Sequence, residues 1–268
     1  FSISDGIYTQ HGTADLRPLF KDEVIVQFPK PVALIKRLLQ IAGDQDAIVL
    51  DFFAGSGTTA AAVLDLTCTD DGSRKFVLVQ LPEPCATESA AAKVGLATIA
   101  EITKERVRRV IKKLNNEDTG KLDLAGDKKQ DRGFRVFKLA ESNFKSWNAD
   151  APKDADELAK QLELHVDHIR DGRSADDLLY EILLKSGYPL TVPVERIELA
   201  GKPVHCVAGG ALLVCLDPQL TLELIRAMAE RKPERVVCLD AGFAGNDQLK
   251  ANAVQLFRTK GVTSFKTV

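Results

Sequence analysis

Apolar runs of strand length and segments with helical apolar spacing follow one another along the chain. Residues 47–50 form a short apolar run typical of a buried strand, and residues 60–64 are strong helix formers. Residues 51–59 lie between them and read Asp-Phe-Phe-Ala-Gly-Ser-Gly-Thr-Thr. This order predicts a strand, a glycine turn and a helix, and a strand at residues 75–81 would complete a βαβ unit.

The second half of the chain repeats this alternation. A polar segment at residues 115–132 predicts a loop, and the alternating residues 133–139 predict a strand that returns to the first sheet. A second α/β layer with a partly parallel sheet is predicted after it. Its expected helices are 155–169, 175–185, 220–230 and 247–259, and its expected strands are 190–199, 203–208, 211–216, 235–240 and 262–268.

Three further segments carry weaker patterns. Residues 1–27 are polar and interrupted by glycine and proline, which predicts an irregular linker. Pro29 and Pro31 prevent an earlier helix, and helical apolar spacing starts after them. Residues 97–114 predict an amphipathic helix with a basic outer face, for which solvent exposure is a simpler account than DNA contact.

Composition limits the class of protein. The 268 residues are 45% hydrophobic with a net charge of −2, which suits a globular protein and gives no global basic field for DNA. The five cysteines show no C-x-x-C spacing and predict reduced, buried thiols in a cytosolic protein. No segment has the roughly 18 continuous apolar residues of a membrane helix. The start at Phe1 rather than at Met predicts a fragment of a longer protein.

Three ligand classes use a glycine turn between a strand and a helix. A phosphate-binding P-loop needs a lysine, but Gly57 is followed by Thr58 and Thr59. The spacing from Gly55 fits a dinucleotide fingerprint, yet the Asp51 carboxylate would face the pyrophosphate with the wrong sign. S-adenosylmethionine (SAM) carries an α-amino group and a sulfonium, so an acidic residue beside the turn suits it better.

Residues 51–59 resemble the SAM-binding motif I of amino-group DNA methyltransferases, which methylate adenine N6 or cytosine N4. Residues 28–31, Phe-Pro-Lys-Pro, resemble motif X, and their place before motif I marks the permuted β-class. Residues 75–80, 133–147 and 178–268 also resemble the carboxy-terminal part of type III modification subunits. The resemblance implies an α/β fold with a partial SAM-dependent methyltransferase Rossmann-like sheet in residues 1–146, followed by a small α/β carboxy-terminal association domain in residues 147–268.

The resemblance also implies which residues bind the cofactor. Lys30 would meet the methionine carboxylate, and Gln80 or the nearby Glu83 would accept hydrogen bonds from the ribose hydroxyls. No metal site is expected, and no catalytic residue is expected because the family's Asp/Asn-Pro-Pro-Tyr motif does not occur in the sequence. The expected SAM-binding set is Phe28, Lys30, Pro31, Asp51, Phe52, Phe53, Ala54, Gly55, Ser56, Gly57, Thr58, Thr59 and Gln80.

The prediction is therefore a SAM-binding fragment of an adenine-N6 DNA methyltransferase of a type III restriction-modification system, inactive alone. The expected partners are DNA, mainly through an upstream region, a second copy of the full-length subunit and the restriction subunit. The expected location is the cytoplasm, and no membrane association is expected. Two alternatives stay open. One is a SAM-dependent methyltransferase for cytosine N4 or another substrate, and the other is a structural assembly module without cofactor.

Overall fold

The computed structural model describes residues 6–119, 130–145, 154–158 and 169–268. Helices and both parallel and antiparallel strand pairs are present, so the predicted α/β class is confirmed. The chain divides into two compact units, Phe1–Phe134 and Arg135–Val268. The division falls earlier in the chain than the expected domain boundary between residues 146 and 147.

The first unit contains the predicted βαβ arrangement. Its strands are β1 (Ile48–Asp51) and β2 (Lys75–Leu78), which pair in parallel with Asp51 opposite Leu78. Its helices are α1 (Thr9–Leu16), α2 (Val32–Ala42), α3 (Thr58–Asp70), α4 (Ala90–Lys93) and α5 (Ile99–Thr119), with a 3₁₀ turn at Arg17–Phe20. Helix α3 connects the two strands, and α2 begins directly after the prolines, as predicted.

The prediction of an irregular linker in residues 1–27 is wrong for the described part of that segment. Helix α1 and the 3₁₀ turn bury Leu16 and Phe20 in a cluster that also contains Ile102 of α5. A Cβ on Gly12 of α1 would lie 1.8 Å from the Pro29 carbonyl oxygen, so the helix packs directly against that backbone. These contacts are made with residues distant in sequence, which explains why local pattern did not reveal the helix.

The short sheet of the first unit has one packed face and one open face. Phe76 and Leu78 of β2 pack against the cluster formed between α3 and α5. Side chains alternate along a strand, so their neighbours point the opposite way. The large apolar residues on the other side are 70%, 57%, 47%, 50% and 67% exposed, and they form what we call the open face: Ile48, Leu50, Val77, Val79 and Leu81.

The second unit contains a five-stranded sheet and helices. The strands are β3 (Val194–Leu199), β4 (Lys202–Val207), β5 (Leu212–Cys215), β6 (Arg235–Cys238) and β7 (Ser264–Thr267). The described α-helices are α6 (Ala175–Lys185), α7 (Leu222–Glu230) and α8 (Asp247–Thr259). The strands follow the order β3-β4-β5-β6-β7. The β3–β4 and β4–β5 pairs are antiparallel, whereas β5–β6 and β6–β7 are parallel. This confirms the predicted partly parallel sheet.

Helices cover both faces of the second sheet. Leu213 and Cys215 of β5 pack in a cluster with residues of α7 and α8, whereas Leu212 and Val214 pack in a second cluster with residues of α6. The alternation of β5 side chains therefore builds a helix–sheet–helix sandwich. None of the described helices has the length and apolar character needed to cross a membrane.

Two predicted elements need correction or lie partly outside the described residues. The strand predicted at residues 133–139 is wrong, because no regular structure forms there. Phe134 packs in the first unit, whereas the Arg135 guanidinium donates to the Leu190 carbonyl and the Phe137 ring meets Tyr180 in the second. The helix predicted at residues 155–169 is described only at 155–158, and residues 159–168 lie outside the described chain.

Candidate functional site

The glycine turn joins β1 to α3 through two residues with left-handed backbone conformation. Gly55 has a φ of 52° and Gly57 a φ of 78°, a region that favours glycine. The Gly57 amide donates to the Ala54 carbonyl at 2.7 Å. A Cβ on Gly57 would lie 3.2 Å from Thr103 Cγ2 of α5. A Cβ on Gly55 would meet, among the described residues, only the Phe53 carbonyl oxygen, at 3.7 Å. Gly57 is therefore required by conformation and packing, and Gly55 by conformation alone.

The Asp51 carboxylate lies at the end of β1 and is held through both oxygens. Oδ1 accepts a hydrogen bond from the Phe53 amide at 3.0 Å, and Oδ2 accepts one from the Thr59 hydroxyl at 2.6 Å. The residue is partly exposed. An ionised carboxylate has about four lone-pair positions, so Asp51 keeps capacity for a donor from outside. Its charge suits an ammonium group and would repel a phosphate.

Gln80 follows β2 and holds the turn from the neighbouring strand. Its Oε1 accepts a hydrogen bond from the Gly55 amide at 2.7 Å, and its Nε2 donates to the Leu81 carbonyl at 3.1 Å. The side-chain amide is therefore tied to the backbone through both of its polar atoms. Glu83 has an exposed side chain.

The Phe-Pro-Lys-Pro segment lies against the turn through its backbone. The Thr58 hydroxyl donates to the Lys30 carbonyl at 3.3 Å, and Pro29 and Pro31 are buried. The Lys30 residue is exposed, and Phe28 is 80% exposed. The structure thus brings the two sequence motifs together, although residues 32–50 separate them in the chain.

Two exposed aromatic rings follow β1 at the start of the turn. Phe52 and Phe53 extend from the turn with 60% and 84% of their surface exposed, and their rings meet edge to face with centroids 5.7 Å apart. They give the polar turn an apolar rim, which is suited to stacking against a flat aromatic ligand.

Comparison with known proteins shows what this chain is similar to. Residues 16–80 match a family model described as DNA methylase. The type III restriction-modification enzyme EcoP15I Mod subunit of Escherichia coli is 32% identical over 250 residues, which cover 90% of this chain and 35% of that protein. The EcoPI Mod subunit of Escherichia phage P1 is 30% identical over 251 residues, 91% of this chain and 36% of that protein. The StyLTI Mod subunit of Salmonella typhimurium is 40% identical over 133 residues, 49% of this chain and 19% of that protein.

The chain is therefore similar to the Mod subunits of type III restriction-modification enzymes. This finding confirms the resemblance to type III modification subunits that motifs X and I predicted. The chain spans about a third of the length of the EcoP15I and EcoPI subunits. Methyltransferases of this family use SAM as the methyl donor.

Two residues that contact the glycine turn were not predicted from the sequence, and both lie on α5. The Thr103 hydroxyl donates to the Gly55 carbonyl at 2.5 Å. Arg106 is fully buried, and its Nη1 lies 2.9 Å from both Ser56 Oγ and Thr58 Oγ1. Burial lowers the pKa of Arg106 to about 10, against an opposing effect of the Asp15 charge, so the guanidinium stays protonated at neutral pH.

A sequence signal for Arg106 existed. It lies four residues after Ile102 and four before Val110, and both of these are buried. Positions four apart share one helix face, so Arg106 belongs to the apolar stripe and not to the basic outer face.

Proposed function

We propose that this chain is the SAM-binding part of a type III modification subunit that methylates adenine N6 in DNA. The observation that carries the proposal is the Asp51 carboxylate, fixed across the glycine turn by Phe53 and Thr59 with lone pairs to spare. The similarity to Mod subunits over 90% of the chain supports it. Bound SAM supplies a methyl group on a positively charged sulfur, which makes it transferable to an amine.

Both charged groups at the amino-acid end of SAM have candidate partners in the turn. Asp51 is proposed to accept hydrogen bonds from the ammonium group. Lys30 and the first amides of α3 are proposed to stabilise the carboxylate, because a helix N-terminus carries partial positive charge. The N-cap of α3 is Gly57, whose lack of a side chain leaves those amides without a side-chain cap.

We assign binding of the adenosine end of SAM to the aromatic rim of the turn and to residues at the end of β2. Phe28, Phe52 and Phe53 are proposed to stack on the adenine. Gln80 is proposed to act by holding Gly55 in place, because its side-chain oxygen already accepts that amide. The ribose hydroxyls are then assigned to Glu83, and its change to Gln should weaken SAM binding by removing charge assistance.

The transfer step itself is assigned to a larger protein. The Asp/Asn-Pro-Pro-Tyr motif that holds the target base is absent from these 268 residues, so we expect this chain to bind the methyl donor without methylating DNA. DNA, a second copy of the full-length subunit and a restriction subunit are the proposed partners of the complete protein, in the cytoplasm. The printed names of the similar proteins, Mod subunits of type III restriction-modification enzymes, support this assignment.

Calorimetric titration of the 268-residue chain with SAM tests the proposal. We expect wild-type binding, and about 10- to 100-fold weaker binding for Asp51→Asn, because a hydrogen bond between charged groups contributes about 1.5–3 kcal/mol. Asp46→Asn is the matched control, since Asp46 is an exposed aspartate just before β1 and takes no part in the turn. Gly55→Asp should also weaken binding, because it places a charged side chain at a left-handed position of the turn.

Two outcomes would contradict the proposal. Tighter binding of ATP or NAD than of SAM would indicate a phosphate site and overturn the role of Asp51. A folded chain with no heat on SAM addition would favour the assembly module. For the complete protein, nucleoside analysis of methylated DNA should yield N6-methyladenine, and N4-methylcytosine would overturn the choice of target base.

A further inference from the structure

Arg106 is a buried charge that the proposed cofactor contacts do not use. It is fully buried, and its Nε and Nη2 have no hydrogen-bond partner among the described residues. Leaving the polar atoms of a buried cation unpaired is costly, and an apolar side chain of similar size is often as stable or more stable in such a position. Simple packing therefore does not account for an arginine here.

The remaining nitrogen of the guanidinium is directed at the glycine turn. Nη1 lies 2.9 Å from Ser56 Oγ, 2.9 Å from Thr58 Oγ1 and 3.4 Å from the Ser56 carbonyl oxygen. One turn earlier on α5, the Thr103 hydroxyl donates to the Gly55 carbonyl. Helix α5 thus holds the turn at Gly55, Ser56 and Thr58 through these two side chains.

The charge of Arg106 also adds to the electrostatics of the turn. Thr58 is the first residue of α3, and its hydroxyl accepts from the guanidinium. The partial positive charge of the helix N-terminus and the full charge of Arg106 therefore lie together. Asp51, which is hydrogen-bonded to Thr59, supplies the negative pole. One short segment carries two opposite poles, which is the pattern that a zwitterionic amino-acid group requires.

We propose that Arg106 is a positioning residue, which fixes the shape of the turn at residues 55–58 and adds the positive charge that favours a ligand carboxylate. The first part concerns the chain alone. The second part rests on the proposed SAM-binding function. The two parts are tested with different measurements, so that failure of SAM binding does not obscure the result for the turn.

Amide hydrogen exchange tests the first part without ligand. Arg106→Met keeps the volume of the stem and removes the hydrogen bonds, and it should speed exchange of the Gly55 and Gly57 amides at least tenfold without lowering the melting temperature. Arg109→Met is the matched control, since Arg109 bonds to Glu105 and the Leu19 carbonyl and makes no contact with the turn. Its turn amides should exchange at the wild-type rate.

A merely structural role predicts a different result. Arg106→Met would then lower the melting temperature and speed exchange throughout the first unit, and that outcome would overturn the proposal. Unchanged exchange at Gly55 and Gly57 would overturn it as well. Arg106→Lys retains charge but lacks the guanidinium nitrogen that reaches Ser56 and Thr58, so it should show fast exchange like the Met variant.

Titration with SAM and with decarboxylated SAM tests the second part. Arg106→Met should bind SAM at least tenfold more weakly and change the affinity for decarboxylated SAM less than twofold, and Arg106→Lys should recover part of the SAM affinity. Equal losses for both ligands would overturn the electrostatic role. If the wild-type chain binds neither compound, the proposed function and this second part fail together, while hydrogen exchange still decides the first.

Discussion

Substitution of the two turn glycines separates the two constraints that the structure places on them. Gly55→Ala adds a methyl group into open space, with the Phe53 carbonyl oxygen 3.7 Å away, so only the left-handed conformation is penalised. That penalty is about 1–2 kcal/mol, reduced by about 0.4–1 kcal/mol because alanine restricts the unfolded chain. Gly57→Ala carries the same penalty and also places its Cβ 3.2 Å from Thr103 Cγ2 and 3.3 Å from the Thr103 carbonyl oxygen. Crowding of this kind adds about 1–3 kcal/mol.

We therefore expect Gly57→Ala to destabilise the first unit by about 1–3 kcal/mol more than Gly55→Ala. Urea unfolding measures this, provided that probes in each unit are followed separately, since the two units can unfold in separate steps. Thr103→Ser removes the methyl group and keeps the hydroxyl, so it should relieve part of the Gly57→Ala penalty in a double-mutant cycle. Equal destabilisation by both glycine variants, or a cycle with no coupling, would refute the packing argument.

Three further predictions follow from contacts elsewhere in the chain. Ser174→Ala should destabilise α6 by about 1 kcal/mol in thermal unfolding, because Ser174 Oγ caps the helix by accepting from the Asp177 amide. Hydrogen bonds from the Ser174 amide and hydroxyl lower the pKa of Asp177. The contribution of the Asp177 carboxylate to folding stability is therefore complete at neutral pH and is lost as the pH falls through that lowered pKa. The stability difference between wild type and Asp177→Asn should vanish in acid. Leu183→Ala should cost about 2–5 kcal/mol in urea unfolding of the second unit, since Leu183 is fully buried against the sheet; a loss below 1 kcal/mol would contradict that packing.

The site could be predicted where its signals are local. A short apolar run, two glycines and a run of alanines fix the order of β1, the turn and α3, because each signal acts within a few residues. The same holds for α6 and α8, whose observed bounds, Ala175–Lys185 and Asp247–Thr259, match the predicted ones. The capping box at Ser174 and the asparagine cap of α8 mark those starts in the sequence.

The features that could not be predicted from the sequence depend on contacts between residues that are distant in the chain. Helix α1 is stabilised by packing on α5 and on the Pro29 backbone, and no local period shows this. The position of Arg106 on the apolar stripe indicates burial, but its contacts with Ser56 and Thr58 appear only once α5 is placed beside the turn. Gln80 was predicted to meet a ribose, but its hydrogen bond to Gly55 follows from the approach of β2 to β1. The alternation at residues 133–139 predicted a strand that does not form. Phe134 packs in the first unit, whereas Arg135 and Phe137 make their contacts in the second.

The open face of the first unit has a practical consequence for any binding experiment on this chain. Leu50 belongs to that face and directly precedes Asp51, and Val79 and Leu81 flank Gln80 on the neighbouring segment. Exposed apolar surface of this kind promotes self-association, and molecules bound to it would contact residues next to the proposed SAM site. Apparent affinities should therefore be measured at several protein concentrations, and a dye that binds exposed apolar surface should be used to follow self-association. Both protein concentration and added detergent would otherwise change the apparent affinity.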